Sequence, residues 1–280
     1  MSPATADRLL AAERQRTRLH GFSTTKPGTL MQEVPIRLGT EWDDVQVGFV
    51  ELDLVAHCGE SVRGDYLSTL TVTDILTGWT ECLAVRNRGQ QAVFQAIVRA
   101  RARLPFPLRA LDSDNGVEFL TTHLVRYCQQ EHLIFTRGRP FQKNDQAHVE
   151  QKNWSVVRHV VGYDRYEGQS AWDALQNLYD VLRLYVNFFQ PSMKLLSKER
   201  VGSRIKKRYD EAKTPYQRVL LSEQVTSEVE AALQQDYRAL NPVVLLRQLK
   251  ERQAALWKLS LSQGPATALQ THKHERKILS

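Results

Sequence analysis

From residue 48 onward the apolar positions fall into short runs of strand character parted by turn signals. The first run, GFVELDLVAHC (48–58), is almost continuously apolar, as befits a strand buried on both faces, yet Glu51 and Asp53 are set inside it. YLSTLTVTDIL (66–76) and WTECLAV (79–85) are β-branched and aromatic, and Thr77-Gly78 between them predicts a hairpin. GQQAVFQAIVRARARL (89–104) suits a helix and LRALDS (108–113) a short strand. A second helix is expected over 117–130, with Leu120, Leu124, Tyr127 and Cys128 on one face, and HLIFT (132–136) predicts another strand. The loop RGRPFQKN (137–144) leads to a third helix from about Asp145. A long helix follows over 170–190, with Trp172, Leu175, Leu178, Leu182, Tyr185 and Phe189 on one stripe and Pro191 ending it.

This order, three strands and then helices alternating with single strands, predicts an α/β domain over 45–190 in which a meander is continued by crossover units. Residues 1–44 are expected to form a helix, capped by Ser2 with Pro3 in its first turn, and a linker containing Pro27-Gly28. Beyond 190 the composition shifts: 197–218 holds eight Lys or Arg against three acids. Two further helices, 227–240 and 242–259, are predicted as a hairpin punctuated by Asn241-Pro242. The region 191–262 is therefore read as a helical, basic extension, and 263–280 as a flexible tail.

The chain has 280 residues, 42% of them hydrophobic and 25% charged, values of an ordinary globular protein. It contains no apolar run long enough to span a bilayer and no secretory pattern, so a cytosolic location without membrane attachment is expected. Cys58, Cys82 and Cys128 are scattered, which argues against a disulfide framework or a cysteine zinc site. A net charge of +7 favours a polyanionic partner, though many basic proteins have none.

Three acids stand out by position. Asp53 lies within the most apolar strand, where an ionised carboxylate is costly unless paired or bound to a cation. Asp112 and Asp114 close the fourth strand before an Asn-Gly turn. Glu150 begins a helical stripe that continues through Trp154, Val157 and Val161. Taken singly, each has a plain structural explanation as a turn former, a helix-dipole partner or an edge residue.

Their order and spacing carry more. LDLVAH (52–57), DNGVEF (114–119) and NDQAHVE (144–150) resemble the three motifs of DDE-type integrases and transposases, which include retroviral integrase and bacterial insertion-sequence transposases. Residues 115 to 149, thirty-five positions, separate Asp114 from Glu150, the interval of that family; counting from Asp112 gives thirty-seven, so Asp112 is read as a neighbour or turn former. The resemblance covers about 45–190. It implies a ribonuclease H-like mixed sheet flanked by helices, with Asp53, Asp114 and Glu150 as catalytic residues and as ligands of Mg²⁺ or Mn²⁺. It further implies double-stranded DNA, both transposon ends and target, as substrate, and a homo-multimer acting on it. SPATADRLL (2–10) is similar to the recognition helix of a helix-turn-helix.

For DNA contact the candidates are Arg137, Arg139 and Lys143 on the loop before Glu150, and Lys152 and Arg158 on its helix, all suited to phosphate oxygens. His57 and His148 flank two of the acids and are expected to be packed or solvated rather than ligands. Trp154 is expected in the core. The alternatives to a recombinase are another nuclease on the same fold and a DNA-binding remnant without catalysis.

Overall fold

The computed structural model describes residues 34–36, 45–139, 146–201 and 204–261. The N-terminal helix and linker, Lys143 and the tail 263–280 thus lie outside the described residues.

β1 (Phe49–Ala56), β2 (Ser68–Asp74) and β3 (Thr80–Val85) form an antiparallel meander. The β2–β3 turn is held by Asp74, whose carboxylate accepts from Thr77 N and Oγ1 at 2.8 and 2.6 Å and from Gly48 N at 2.8 Å. Parallel strands cannot be joined by a tight turn. Accordingly α1 (Gln90–Arg101) carries the chain over to β4 (Ala110–Ser113), and α2 (Thr122–Gln130) carries it on to β5 (Ile134–Arg137). β4 runs parallel to β1 and β5 parallel to β4, giving the order β3-β2-β1-β4-β5. A five-stranded mixed sheet with this connectivity, flanked by helices, is the ribonuclease H-like architecture expected from the sequence.

α2 starts later than the pattern suggests. Phe119 is fully buried in the preceding turn, and Thr121 caps the helix by accepting from Leu124 N at 3.1 Å. After β5 come α3 (Ala147–Lys152), a π-helical stretch (Asn153–Arg158) and α4 (His159–Val161), one continuous helix in three segments.

α5 (Gly168–Phe189) lies along β3 and seals the free edge of the sheet. Asn187 accepts from Thr80 N and donates to Thr80 O, Trp172 Nε1 donates to Ala84 O, and Gln176 Oε1 accepts from Ala84 N. An edge strand presents unpaired backbone groups, and here side chains of one helix satisfy them.

The C-terminal region is less helical than expected. β6 (Leu195–Val201) and β7 (Arg204–Tyr209) pair as a two-stranded antiparallel ribbon within the basic segment. α6 (Pro215–Leu220), α7 (Ser227–Ala239) and α8 (Pro242–Trp257) follow. Asn241 caps α8 by accepting from Val243 N and Val244 N, and Pro242 occupies its first turn, as predicted. α7 and α8, expected as a hairpin, serve separate apolar clusters. Leu245, Leu249 and Leu256 of α8 join Val157, Val161, Leu175 and Leu178, whereas Leu233 of α7 joins Trp79, Phe106, Phe188 and Tyr216. Each leucine so buried contributes about 1.5–3 kcal/mol. No helix among the described residues is long and apolar enough to cross a membrane.

Glu81 of β3 is fully buried and held by Arg183 of α5, whose Nε and Nη2 donate to its two oxygens at 2.7 and 2.9 Å; Trp79 Nε1 adds a third bond at 2.9 Å. Arg183→Met removes the cation and strands the carboxylate, so urea titration should show a loss of about 3–5 kcal/mol. Glu81→Gln combined with Arg183→Met, which removes the stranded charge as well, should recover part of it.

Candidate active site

The register of the sheet places its acids on one face. Glu51 pairs with Thr73 of β2 and Asp112 of β4, and Asp53 pairs with Thr71. Directly opposed residues share a face, so Glu51, Asp53, Thr71, Thr73 and Asp112 line the same side. The helix that begins with α3 packs over β1 and β2 there.

This helix is tied to β1 by two carboxylates. Glu51 Oε2 accepts from Val149 N at 2.7 Å, and Asp53 Oδ2 accepts from Asn153 Nδ2 at 2.5 Å. Asp53 Oδ1 accepts from Leu54 N at 2.7 Å. Burial pushes the Asp53 carboxyl up to about 6, and the carboxylates of Asp114 and Glu150 add to the shift. Both other members of the expected triad are therefore within electrostatic reach of Asp53.

Asp114 follows β4 and shapes its own turn. Its Oδ1 accepts from Gly116 N at 2.9 Å, while Asn115 donates to Gly138 O and accepts from Arg137 Nη1. A Cβ at residue 116 would stand 2.7 Å from Asp114 Oδ1 and 2.9 Å from Glu118 Oε2, so a side chain there would have to displace these carboxylates. Burial raises the Asp114 carboxyl above its usual value; Glu118 adds to the rise and Arg88, ion-paired with Glu118, opposes it. Glu150 is exposed on α3. Among the described residues, no three acidic, histidine or cysteine side chains gather into one metal-holding group.

Asp112 answers differently from Asp114. It is almost fully buried, its Oδ1 accepts from Thr136 Oγ1 at 2.6 Å, and its Oδ2 accepts from Gln146 Nε2 at 3.4 Å. Next to it Glu51 is fully buried, with Oε1 lacking any partner, and its carboxyl is raised to about 8, chiefly by burial and then by Asp112 and Glu150. Sequence reasoning notes Glu51 inside the apolar strand but gives it no role, and does not single out Asn153. The signals that could have found them are the second acid in an apolar strand and the placement of Asn153 one turn beyond Glu150. Asn153 Oδ1 is also buried without a partner, beside the Asp53 carboxylate. The side chains of the expected triad, Asp53, Asp114 and Glu150, offer only carboxylate oxygens, which suits a hard divalent cation.

Trp154 corrects an expectation. It is 59% exposed, while Val156, Val157 and Val161 are buried. The stripe Glu150, Trp154, Val157, Val161 assumes α-helical spacing throughout, but the π-helical stretch changes the phase and turns Trp154 outward, against the His159 ring at 4.5 Å. His57 is fully buried, bonded through Nε2 to Thr69 Oγ1 at 2.6 Å, and burial lowers it to about 3; His148 is lowered to about 4. Both are neutral packed or half-buried residues at pH 7.

The four described cations of the five proposed for DNA contact have different surroundings. Arg137 braces the Asp114 turn through Asn115 and Val34 O. Lys152 is half-buried, its ammonium pushed down by burial. Arg158 donates to Ala56 O and Gly162 O and lies 4.7 Å over the Tyr163 ring. Arg139 is exposed.

No protein-family model matches the chain. Over 212 residues it is 46% identical to the uncharacterized protein y4rM of Sinorhizobium fredii (strain NBRC 101917 / NGR234), covering 75% of this chain and 60% of that one. The chain therefore spans about 60% of the length of this relative. Among solved structures, the catalytic core domain of BIV integrase shares 17% identity over 64% of this chain and 97% of its own, with a TM-score of 0.43. The HTLV-2 integrase catalytic core domain in complex with magnesium shares 16% identity over 53% of this chain and 92% of its own, with a TM-score of 0.40.

The raised Glu51 carboxyl makes stability depend on pH. The folded chain retains a proton that the unfolded chain releases from about pH 4.5, so the contribution is full below that value and lost as pH rises through about 8. Glu51→Gln, isosteric with the protonated acid, should flatten the fall in melting temperature between pH 6 and 8, about the upper part of that window. A shallower fall ending near pH 6, owed to Asp53 and Asp74, should remain.

Proposed function

We propose that this chain is a metal-dependent DNA transposase or integrase, cleaving donor DNA ends and transferring the strand to target DNA. One observation carries the reading: Asp53 in the central strand has both Asp114, in its Asn-Gly turn after β4, and Glu150, on the crossing helix, within electrostatic reach. These are the three residues singled out by motif and spacing.

The oxygen donors fit Mg²⁺ or Mn²⁺. Asp53 would contribute to two ion positions, Asp114 to one of them and Glu150 to the other. Each ion then has two carboxylates, and Mg²⁺ characteristically keeps several waters, so no three-carboxylate cage is needed. Two such ions supply activation of a water or 3′-hydroxyl and neutralise the charge on the attacking and leaving oxygens. The protein's own share is placement. The Gly116 amide fixes one Asp114 oxygen, and Asn153 fixes one Asp53 oxygen while binding the Glu150 helix to β1. No Ser or Tyr nucleophile is called for. The substrate is double-stranded DNA and the acting form a homo-multimer on paired ends, with Arg139 as an exposed phosphate contact beside the site.

Donor duplexes copied from the DNA flanking this reading frame, incubated with the full chain, Mn²⁺ and supercoiled plasmid, should yield joined product. Asp114→Asn should still bind the donor but neither nick nor join it, whereas Asp112→Asn should cut at close to the parent rate. Cutting by Asp114→Asn at the parent rate would refute the assignment.

A further inference from the structure

The β6–β7 ribbon has no place in the chemistry above, and its composition is costly to itself. Lys198 faces Lys207 directly across the pair, Arg200 faces Ile205, and Arg208 faces Ser197. Like charges opposed on neighbouring strands destabilise a sheet. The only acid on the two strands is Glu199, opposite Lys206. Lys198, Glu199, Arg200 and residues 205–209 are all exposed, so neither face of the ribbon is covered by the core. A bare two-stranded ribbon is marginal in water even without such repulsion.

Its root, by contrast, is firmly held. Ser192 and Lys213 exchange backbone hydrogen bonds, Asp210 accepts from Lys194 N and from Arg218 Nη1, and Arg218 Nη2 donates to Ser192 O. Lys194 Nζ donates to Ile75 O at 2.6 Å and to Leu76 O, just past the end of β2. That end of β2 pairs with the start of β1 through Val50 and Asp74, whereas Asp53 lies further along β1 and Asp114 beyond β4. The ribbon is thus a braced arm rooted at the end of β2.

The geometry points to the β6–β7 ribbon as a duplex-DNA-binding arm, its lysines and arginines contacting phosphates along the major groove. Two paired strands, about 4.8 Å apart, fit a groove about 12 Å wide. Phosphates on both walls would offset the repulsion between Lys198 and Lys207. A-form RNA has a major groove too narrow for such an arm, so the commitment is to DNA. The inference takes its polyanion from the function proposed above, but it needs no catalysis.

The test uses the full chain, EDTA and a labelled mixed-sequence DNA duplex, with affinity followed by fluorescence anisotropy over a salt series. Removing one cation that neutralises a phosphate should reduce the slope of log K against log[salt] by about 0.9. The triple variant Lys198→Gln, Lys206→Gln, Lys207→Gln should therefore flatten the slope by roughly 2 to 3, equally for unrelated sequences. The matching Lys→Arg triple should keep the parent slope, and Glu199→Lys should steepen it by about 0.9. A parent slope in the glutamine triple or in Glu199→Lys would overturn the proposal, as would an RNA duplex bound as tightly and with the same fall in slope. Cleavage reads out separately. If Asp114→Asn abolishes cutting while the glutamine triple binds like the parent, the arm is wrong and the enzyme stands. If the slopes change as expected but the parent never cuts, the arm stands and the enzyme reading falls.

Discussion

Everything that positions the site depends on how one helix is fastened to the central strand. Glu51 holds the backbone of α3 at Val149, and Asp53 holds the Asn153 side chain one turn later. The sheet face beneath is polar, lined by Thr71, Thr73 and Asp112, so hydrogen bonds rather than apolar packing set the height and angle of this end of the helix. Further on, Val156, Val157 and Val161 sink into the apolar cluster shared with α5 and α8. The helix is therefore fixed by polar bonds at the end bearing Glu150 and by packing at the other. That division explains why a buried central strand carries two acids: one carboxylate is the structural hook, and the other is both hook and candidate ligand.

The framework was largely legible because its signals are local. The run 48–58, the two β-branched runs and Thr77-Gly78 declare a meander, and the later strand–helix alternation declares parallel crossovers. Asn241-Pro242 marks the start of α8 for the same reason: cap and first turn are written in adjacent residues. The Asn-Gly after Asp114 also reads correctly as a turn, although the crowding of Gly116 by the Asp114 and Glu118 carboxylates is not written in those two residues.

What escaped sequence reasoning depends on contacts between distant segments or on a change of helical period. Glu51 and Asn153 gain their roles only when α3 lands on β1. Trp154 was placed inward by extrapolating a 3.6-residue period through a stretch that does not keep it. The ribbon is missed because alternation is masked when most of 197–208 is charged, and periodicity reports burial rather than pairing. α7 and α8 follow each other closely enough to suggest a hairpin, but their apolar positions match different surfaces of the core.

The π-helical stretch divides its helix into two rotational phases. Upstream, the azimuth of Glu150 is dictated by β1; downstream, that of Val157 and Val161 is dictated by the cluster around Leu175 and Leu178. A uniform α-helix would force one choice on both, so that any repacking of the valines would swing the acid. The widened turn works as a coupling that absorbs angular mismatch, so the valines can meet the interior without dictating the direction of the carboxylate.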